Sequence, residues 1–351
     1  MPPLINPDTT PSSHATDAGH ELYLDIHGFA VRISAQAPTV RDALRRDFSY
    51  FAGAGRPQEN ALHLRLLSRH PERLRGWPGL PALTTREYAA FDWNGIRRVR
   101  YWDSAEAEFH PQLRELRITC ADPQRLHELA YLALLSKAGE DLDRRGLHRI
   151  HALGLEWRGA GALLLLPSGG GKSVLALELA RSTEAGIFSD DTPLLTQDSR
   201  MLAFPLRWGF QHSYPLRDIP TDFIRPFMRR KHGPKQLVDV DYFRGSIRPE
   251  APVKWLFIGR RGARPRIEPI SRLQALCPLA LNLVAGYGVA QMAEYMVGWN
   301  SDDIARLAAI ARSRLALAAT LLRTAGLRRL TLGPRVDENA RVLTDFLRDQ
   351  Q

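Results

Sequence analysis

LLLLPSGGGKSVLALELARS, residues 163–182, decides how the rest of the chain is read. Four leucines run into a proline–serine turn, three glycines follow, then a lysine, a serine and a helical pattern. Against the pattern G-x-x-x-x-G-K-[ST], Gly171, Lys172 and Ser173 fit, while Leu166 stands where the first glycine belongs. A phosphate cradle needs a buried strand to aim it, glycines that let backbone N–H groups turn inward, and a helix N-terminus facing the anion. Residues 163–166 read as a buried strand, because a wholly apolar run bounded by turn residues suits a sheet covered on both faces. Gly169, Gly170 and Gly171 supply cheap positive φ, and residues 173–181 supply the helix. Pro167, Ser168 and Gly169 can make the turn that the missing glycine would have made. The bland alternative is a glycine-rich turn beside an incidental lysine. With four features in the right order, the segment reads as a cradle for ATP: Ser168 to Ser173 around the phosphates, Lys172 on the β- and γ-phosphates, and the Ser173 hydroxyl on Mg²⁺.

The flanks carry the rest of the chemistry. After the helix comes FSDD, which sets Asp190 and Asp191 at a strand end. Neighbouring side chains on a strand point to opposite faces, so the two carboxylates can serve different partners, one holding Mg²⁺ and the other accepting a proton from an attacking hydroxyl. Alone, such a pair would be a solvated acidic turn. Upstream, His148 and His151 read as lying on the strand before the leucines, where a histidine is more often structural than catalytic.

Around this core the chain divides in three. Residues 1–20 are polar and rich in Pro, Ser and Thr, with no secretory signal, and read as a disordered tail. Residues 21–146 read as a β-rich α+β module: a hairpin about His27–Gly28, a helix capped by Thr39, a strand at 61–67, and strand-like segments REYAAFDW, IRRVRYW and LRELRITC. A helix opened by Asp122–Pro123 and stopped by Gly146 closes it, with Leu126, Leu129, Leu132 and Leu135 on one face. Residues 147–351 hold the glycine loop. There, HRIHALGLEWRG reads as one strand, PLLT and MLAFPL as a pair, 205–250 as an irregular surface, PVKWLFIGR as a strong strand, and the remainder as mainly helical (271–297, 302–325 and 336–349).

Composition sets the class. Of 351 residues, 44% are hydrophobic and 25% charged, ordinary for a globular chain of two domains. Cys120 and Cys277 fit neither a disulfide framework nor metal-ligand spacing, so a reducing cytoplasm is the expected compartment. The net charge of +10 comes almost wholly from arginine, since only five of the 48 basic residues are lysine. The arginines are scattered without a run or an aromatic-interleaved stripe, and no nucleic-acid partner is expected. Residues 273–299 are long enough to span a membrane, yet Pro278, Asn282, Gly286, Gly288 and Gln291 interrupt them. A buried helix pair broken near residues 286–288 is expected instead, with no membrane partner.

His151, then PSGGGKS, then SDD together resemble the catalytic half of bacterial HPr kinase/phosphorylases. The likeness is greater to the divergent HPr-kinase-related proteins, some of which occur beside peptide natural-product precursors. The motif-bearing resemblance covers roughly residues 147–195. It implies an α/β fold with the phosphate-loop core and mixed sheet shared with phosphoenolpyruvate carboxykinase. It implies a Mg-ATP-dependent kinase acting on a serine or threonine of a peptide or protein, a ribosomal precursor peptide among the candidates, in a family whose members assemble as homo-oligomers. Carried over by position, Lys172 contacts the phosphates, Ser173 and Asp191 contact the metal, Asp190 is the base, and His151 orients the site. Two departures stand out: Leu166, and the lack of any glutamate in residues 201–218, where the phosphorylases carry an acidic signature. Lys235 and Arg260 or Arg261 are candidates for a phosphate contact, against a solvated role. A small-molecule kinase and a nucleotide-binding regulator without turnover are the alternative readings.

Overall fold

The computed structural model describes residues 21–53, 60–71, 79–167, 169–229, 233–289, 292 and 301–350. The tail expected at 1–20, the loop residue Ser168 and most of the second half of the expected 271–297 helix pair lie outside these residues. The chain is a mixed α/β protein with two large mixed sheets and a small antiparallel one.

The N-terminal sheet orders its eight strands as Glu21–Ile26, Phe29–Ala35, Leu62–Leu67, Glu115–Cys120, Ala105–His110, Ile96–Tyr101, Tyr88–Trp93 and Leu83–Thr84. Pairing is antiparallel except on the two sides of Leu62–Leu67, where it is parallel. Every second residue is buried, as in Leu22, Leu24, Ile26 and Leu62, Leu64, Leu66, and that face packs beneath helices Pro38–Asp47 and Pro123–Arg144. The opposite face carries ion pairs such as Arg98–Glu108 at 2.9 Å and Arg117–Glu108 at 3.3 Å. The first hairpin turns at His27 and Gly28, both at positive φ (51° and 83°), the geometry that matches strand twist.

Several expectations need correction. The first helix opens at Pro38 after Ala37, with no side-chain cap, so Thr39 lies inside its first turn. AEAEFH (Ala105–His110) forms a full strand that the sequence reading passed over, because alanine and glutamate are poor strand formers. Its alanines are buried against the core, where small size suits close packing, and Glu106 and Glu108 join the ion pairs outside. Asp122 caps the long helix as expected, accepting from the Gln124 N–H at 2.9 Å.

In the second module, strand Ala160–Leu165 pairs antiparallel with Leu153–Trp157 and parallel with Glu250–Arg261, which also pairs parallel with Gly326–Leu332. Alternate residues face opposite layers. Ala162 and Leu164 meet helices Lys172–Ser182 and Val336–Asp349; Leu163 and Leu165 meet Arg272–Leu279 and Ser301–Thr324. HRIHALGLEWRG is two strands, His148–Arg149 and Leu153–Trp157, with His151 on the bend between them. Residues 205–250 are not wholly irregular: Trp208–Gln211, Gly233–Val238 and Ile224–Arg229 form a three-stranded antiparallel sheet. The C-terminal part contains strands Arg266–Pro269 and Gly326–Leu332, the latter hidden by the arginines of GLRRLTL. The helix at Arg272–Leu279 is mostly exposed. Within residues 272–284 only Ala275, Leu279 and Leu283 are buried, and Leu273, Leu276 and Leu281 face outward, as does Tyr287 beyond. Among the described residues, no helix is long and apolar enough to cross a membrane.

A buried charge cluster ties the helices on the N-terminal sheet to the small antiparallel sheet. Asp47, at the end of the first helix, receives Arg207, Arg225 (2.7 Å) and His127 (2.7 Å); Arg225 and Arg46 also bond Asp239, at 2.8 and 2.6 Å. Burial opposes ionisation of Asp47, yet Arg207, His127 and Arg225 outweigh it and hold its pKa at about 2. A depressed carboxylate stabilises the fold above its unfolded value, near 3.8, and loses that contribution as pH falls through about 2. Asp47→Ala, which takes the carboxylate from Arg207 and His127 and leaves Arg225 only Asp239, should cost about 3–5 kcal/mol at neutral pH. In denaturant titrations at pH 7 and pH 2 the deficit should be large at the first and small at the second.

Candidate active site

Leu166 follows directly on the buried strand, and its Cδ2 fills a notch at Gly259 on the neighbouring strand, where a Cβ would lie 1.9 Å away. That fit fixes where the chain leaves the sheet. Gly169 and Gly171 then adopt φ of 71° and 94°. A Cβ on Gly170 would sit 2.7 Å from the Pro167 carbonyl, which accepts the Gly170 N–H at 2.8 Å. Each glycine is therefore required by conformation or by space. Helix Lys172–Ser182 starts directly after Gly171 with no side-chain cap, so its first N–H groups are left for an anion.

Five chemical residues meet at this helix start. Lys172, only 6% exposed, donates from Nζ to the Leu166 carbonyl at 3.2 Å, and its Nζ lies 2.8 Å from His151 Nε2 and 3.4 Å from Asp191 Oδ1. His151 Nε2 is 3.1 Å from the same Asp191 oxygen. Gly288 presses on the other side of the imidazole; a Cβ there would be 2.3 Å from Nδ1. The Ser173 hydroxyl donates to Asp190 Oδ2 at 2.5 Å. The sequence reading paired Ser173 with Asp191 as metal contacts, whereas the geometry joins Ser173 to Asp190 and gives Asp191 to His151 and Lys172. The turn after Gly186–Ser189 divides the pair: the Thr192 N–H bonds the Ser189 hydroxyl at 3.0 Å, and the Ala152 N–H bonds the Asp191 carbonyl at 2.9 Å.

The two acids differ in charge preference. Burial, then the neighbouring Asp191 charge, push Asp190 up to about 7. Burial also opposes ionisation of Asp191, but the His151 hydrogen bond and the Lys172 ammonium overcome it and hold that carboxyl below its usual range. Asp190 is 5% exposed, whereas the Asp191 side chain is half open to the cavity.

That cavity, about 920 Å³, is lined by the glycine loop, both aspartates and His151. Of the basic candidates, Arg261 lines it and donates to the Gly169 carbonyl at 3.3 Å, and Lys235 lines it beside Gly209. Arg260 turns instead to Thr331 (3.1 Å) and Glu268 (3.6 Å). Sequence reasoning missed Arg149, Arg207 and Tyr131. Arg149 is 2% exposed at the cavity wall, and burial lowers its pKa to about 10; a charge beside two histidines in an otherwise apolar stretch was the available signal. The donor set suits a nucleotide phosphate with Mg²⁺: a glycine cradle too tight for side chains, and hard hydroxyl and carboxylate oxygens at Ser173 and Asp190. Among the described residues, no group of three or more His, Cys, Asp or Glu could hold a metal alone, so ligands from bound phosphates and water would complete the shell.

No family model matches the chain. No curated protein matches it either. Among solved structures it is similar to the Hpr(Ser) kinase/phosphatase from Coxiella burnetii, at a TM-score of 0.27 and 10% sequence identity, over 57% of this chain and 97% of that one. A likeness this distant assigns no residue and no activity.

A buried acid whose pKa is raised in the folded state adds stability below its unfolded value and loses it as pH rises through the folded one. Between about 3.8 and 7, therefore, ionising Asp190 progressively weakens the protein free of ligand. Asp190→Asn, which keeps an acceptor for Ser173, should melt higher than wild type at pH 8 and indistinguishably near pH 4. Thermal melts at the two pH values measure this.

Proposed function

We propose that the chain transfers the γ-phosphoryl group of ATP to a serine or threonine hydroxyl of a peptide or protein. One observation carries the reading: a glycine loop and helix N-terminus hold Lys172 and Ser173 within reach of two differently disposed aspartates. The loop N–H groups and Lys172 would bind the phosphates and offset the charge that builds on them. Ser173 and Asp190 would hold Mg²⁺, which supplies further neutralisation of the phosphate oxygens when bound. Its arrival would also relieve the buried charge that raises Asp190, so the site's least comfortable group has a use.

Asp191 is the base in this reading, which exchanges the roles that sequence position alone suggested. Its carboxylate is ionised, half open to the cavity and oriented by His151. It takes the acceptor hydroxyl proton as the oxygen bonds to the γ-phosphorus, and the electrons of the breaking β–γ bridge leave with ADP. The motif likeness to proteins found beside natural-product precursors makes a ribosomal precursor peptide the first acceptor to try.

The test is a mass-spectrometric transfer assay with Mg-ATP and a library of serine-containing peptides. Wild type should add one phosphate, and Lys172→Ala should lose at least about a hundredfold in rate. Transfer that survives in Lys172→Ala sinks the reading, and so does wild type that binds ATP yet labels no peptide. Asp191→Asn should keep Mg-ATP affinity while losing transfer, whereas Asp190→Asn should weaken Mg-ATP binding itself. The reverse outcome would return the roles to their sequence order.

A further inference from the structure

The cavity has a wall from the other module. Glu128, Tyr131, Leu132 and Leu135, at positions i, i+3, i+4 and i+7 of helix Pro123–Arg144, line the same space as Lys172 and both aspartates. Tyr131 is held firmly: the Arg207 guanidinium lies 3.8 Å from its ring centre and 4.7 Å from that of Phe227, and Phe48 packs 5.4 Å from it behind. Arg207 is itself anchored on Asp47. The ring cannot drift without disturbing the charge cluster that joins the modules. Among the described residues, no hydrogen bond engages the Tyr131 hydroxyl.

We propose that Tyr131 binds the acceptor, and that the N-terminal module thereby selects which hydroxyl is phosphorylated. The inference rests on the phosphotransferase reading above. Nucleotide phosphates belong at the glycine loop, so the acceptor must enter from the side that Asp191 faces, and that side includes the helix wall. Burial holds the Tyr131 phenol protonated well above its ordinary range; Arg207 opposes this, and the charges of Asp47, Asp190 and Asp191 reinforce it. The hydroxyl is thus a lasting donor that feels the catalytic carboxylates. It can fix a carbonyl or hydroxyl oxygen of the acceptor while Asp191 takes the proton. Leu132, Leu135 and Phe227 beside it are apolar, so the acceptor class is a peptide hydroxyl flanked by apolar side chains rather than by acidic ones.

The experiment uses full-length protein and two serine pentapeptides, one flanked by leucine and phenylalanine, the other by glutamates. Wild type should prefer the first by about tenfold in kcat/KM. Tyr131→Phe, which removes only the hydroxyl, should lower kcat/KM for that peptide about tenfold, one hydrogen bond's worth, with the Kd for Mg-ATP and the melting temperature unchanged. Equal transfer by Tyr131→Phe and wild type overturns the assignment of Tyr131, and so does a loss explained by weaker Mg-ATP binding. Preference for the acidic peptide overturns the acceptor class. If wild type binds Mg-ATP and labels neither peptide nor any of the library, the phosphotransferase reading fails and this inference falls with it.

Discussion

The parallel pairing of Ala160–Leu165 with Glu250–Arg261 is the constraint from which the site's geometry descends. A strand covered on both faces has no freedom to shift register, because each alternate residue is already committed to one of two packed layers. Its end therefore delivers the glycine loop to a fixed point. The Leu166 carbonyl arrives where the Lys172 ammonium can reach it, and the direction of that side chain then places it against His151 and Asp191. Precision at the polar end is inherited from packing at the apolar end.

Two buried acids show what the surroundings decide. Asp47 and Asp190 are both enclosed, yet one is held near 2 and the other rises to about 7. The difference lies in what faces them: two guanidiniums and an imidazole around Asp47, a hydroxyl and a second carboxylate around Asp190. Asp47 is fully compensated and joins the helices on the N-terminal sheet to the small antiparallel sheet, whereas Asp190 is left incompletely compensated at the wall of the cavity. Arg207 links the two, since it neutralises Asp47 and also braces the wall of the cavity.

How much of this was legible in the sequence follows from the range of the forces involved. The glycine loop, the helix after it, the SDD turn and the capped helix at Asp122 depend on neighbours along the chain, and local residue types announce them. AEAEFH and GLRRLTL became strands because sheets already present on either side accepted them, which propensity cannot report. Which aspartate meets Ser173 was not legible for a related reason. Strand alternation says that the two diverge, but which one meets Ser173 depends on how the turn at Thr192 is tied to Ser189 and Ala152. Tyr131 stood outside the reading because it belongs to the cavity only through the packing of helix Pro123–Arg144 beside the glycine-loop sheet, and Arg207 because its place depends on contacts with Asp47 and Tyr131, far away in sequence.

The fit of Leu166 into Gly259 has an implication for transplantation and for descent. A leucine can occupy the first glycine position only where the adjoining strand has surrendered its own side chain, so the two sites form one unit that must change together. The glycine that the loop lacks is carried by its neighbour. Grafting residues 163–182 onto another scaffold without that partner would bring the chemistry and leave behind the space it needs.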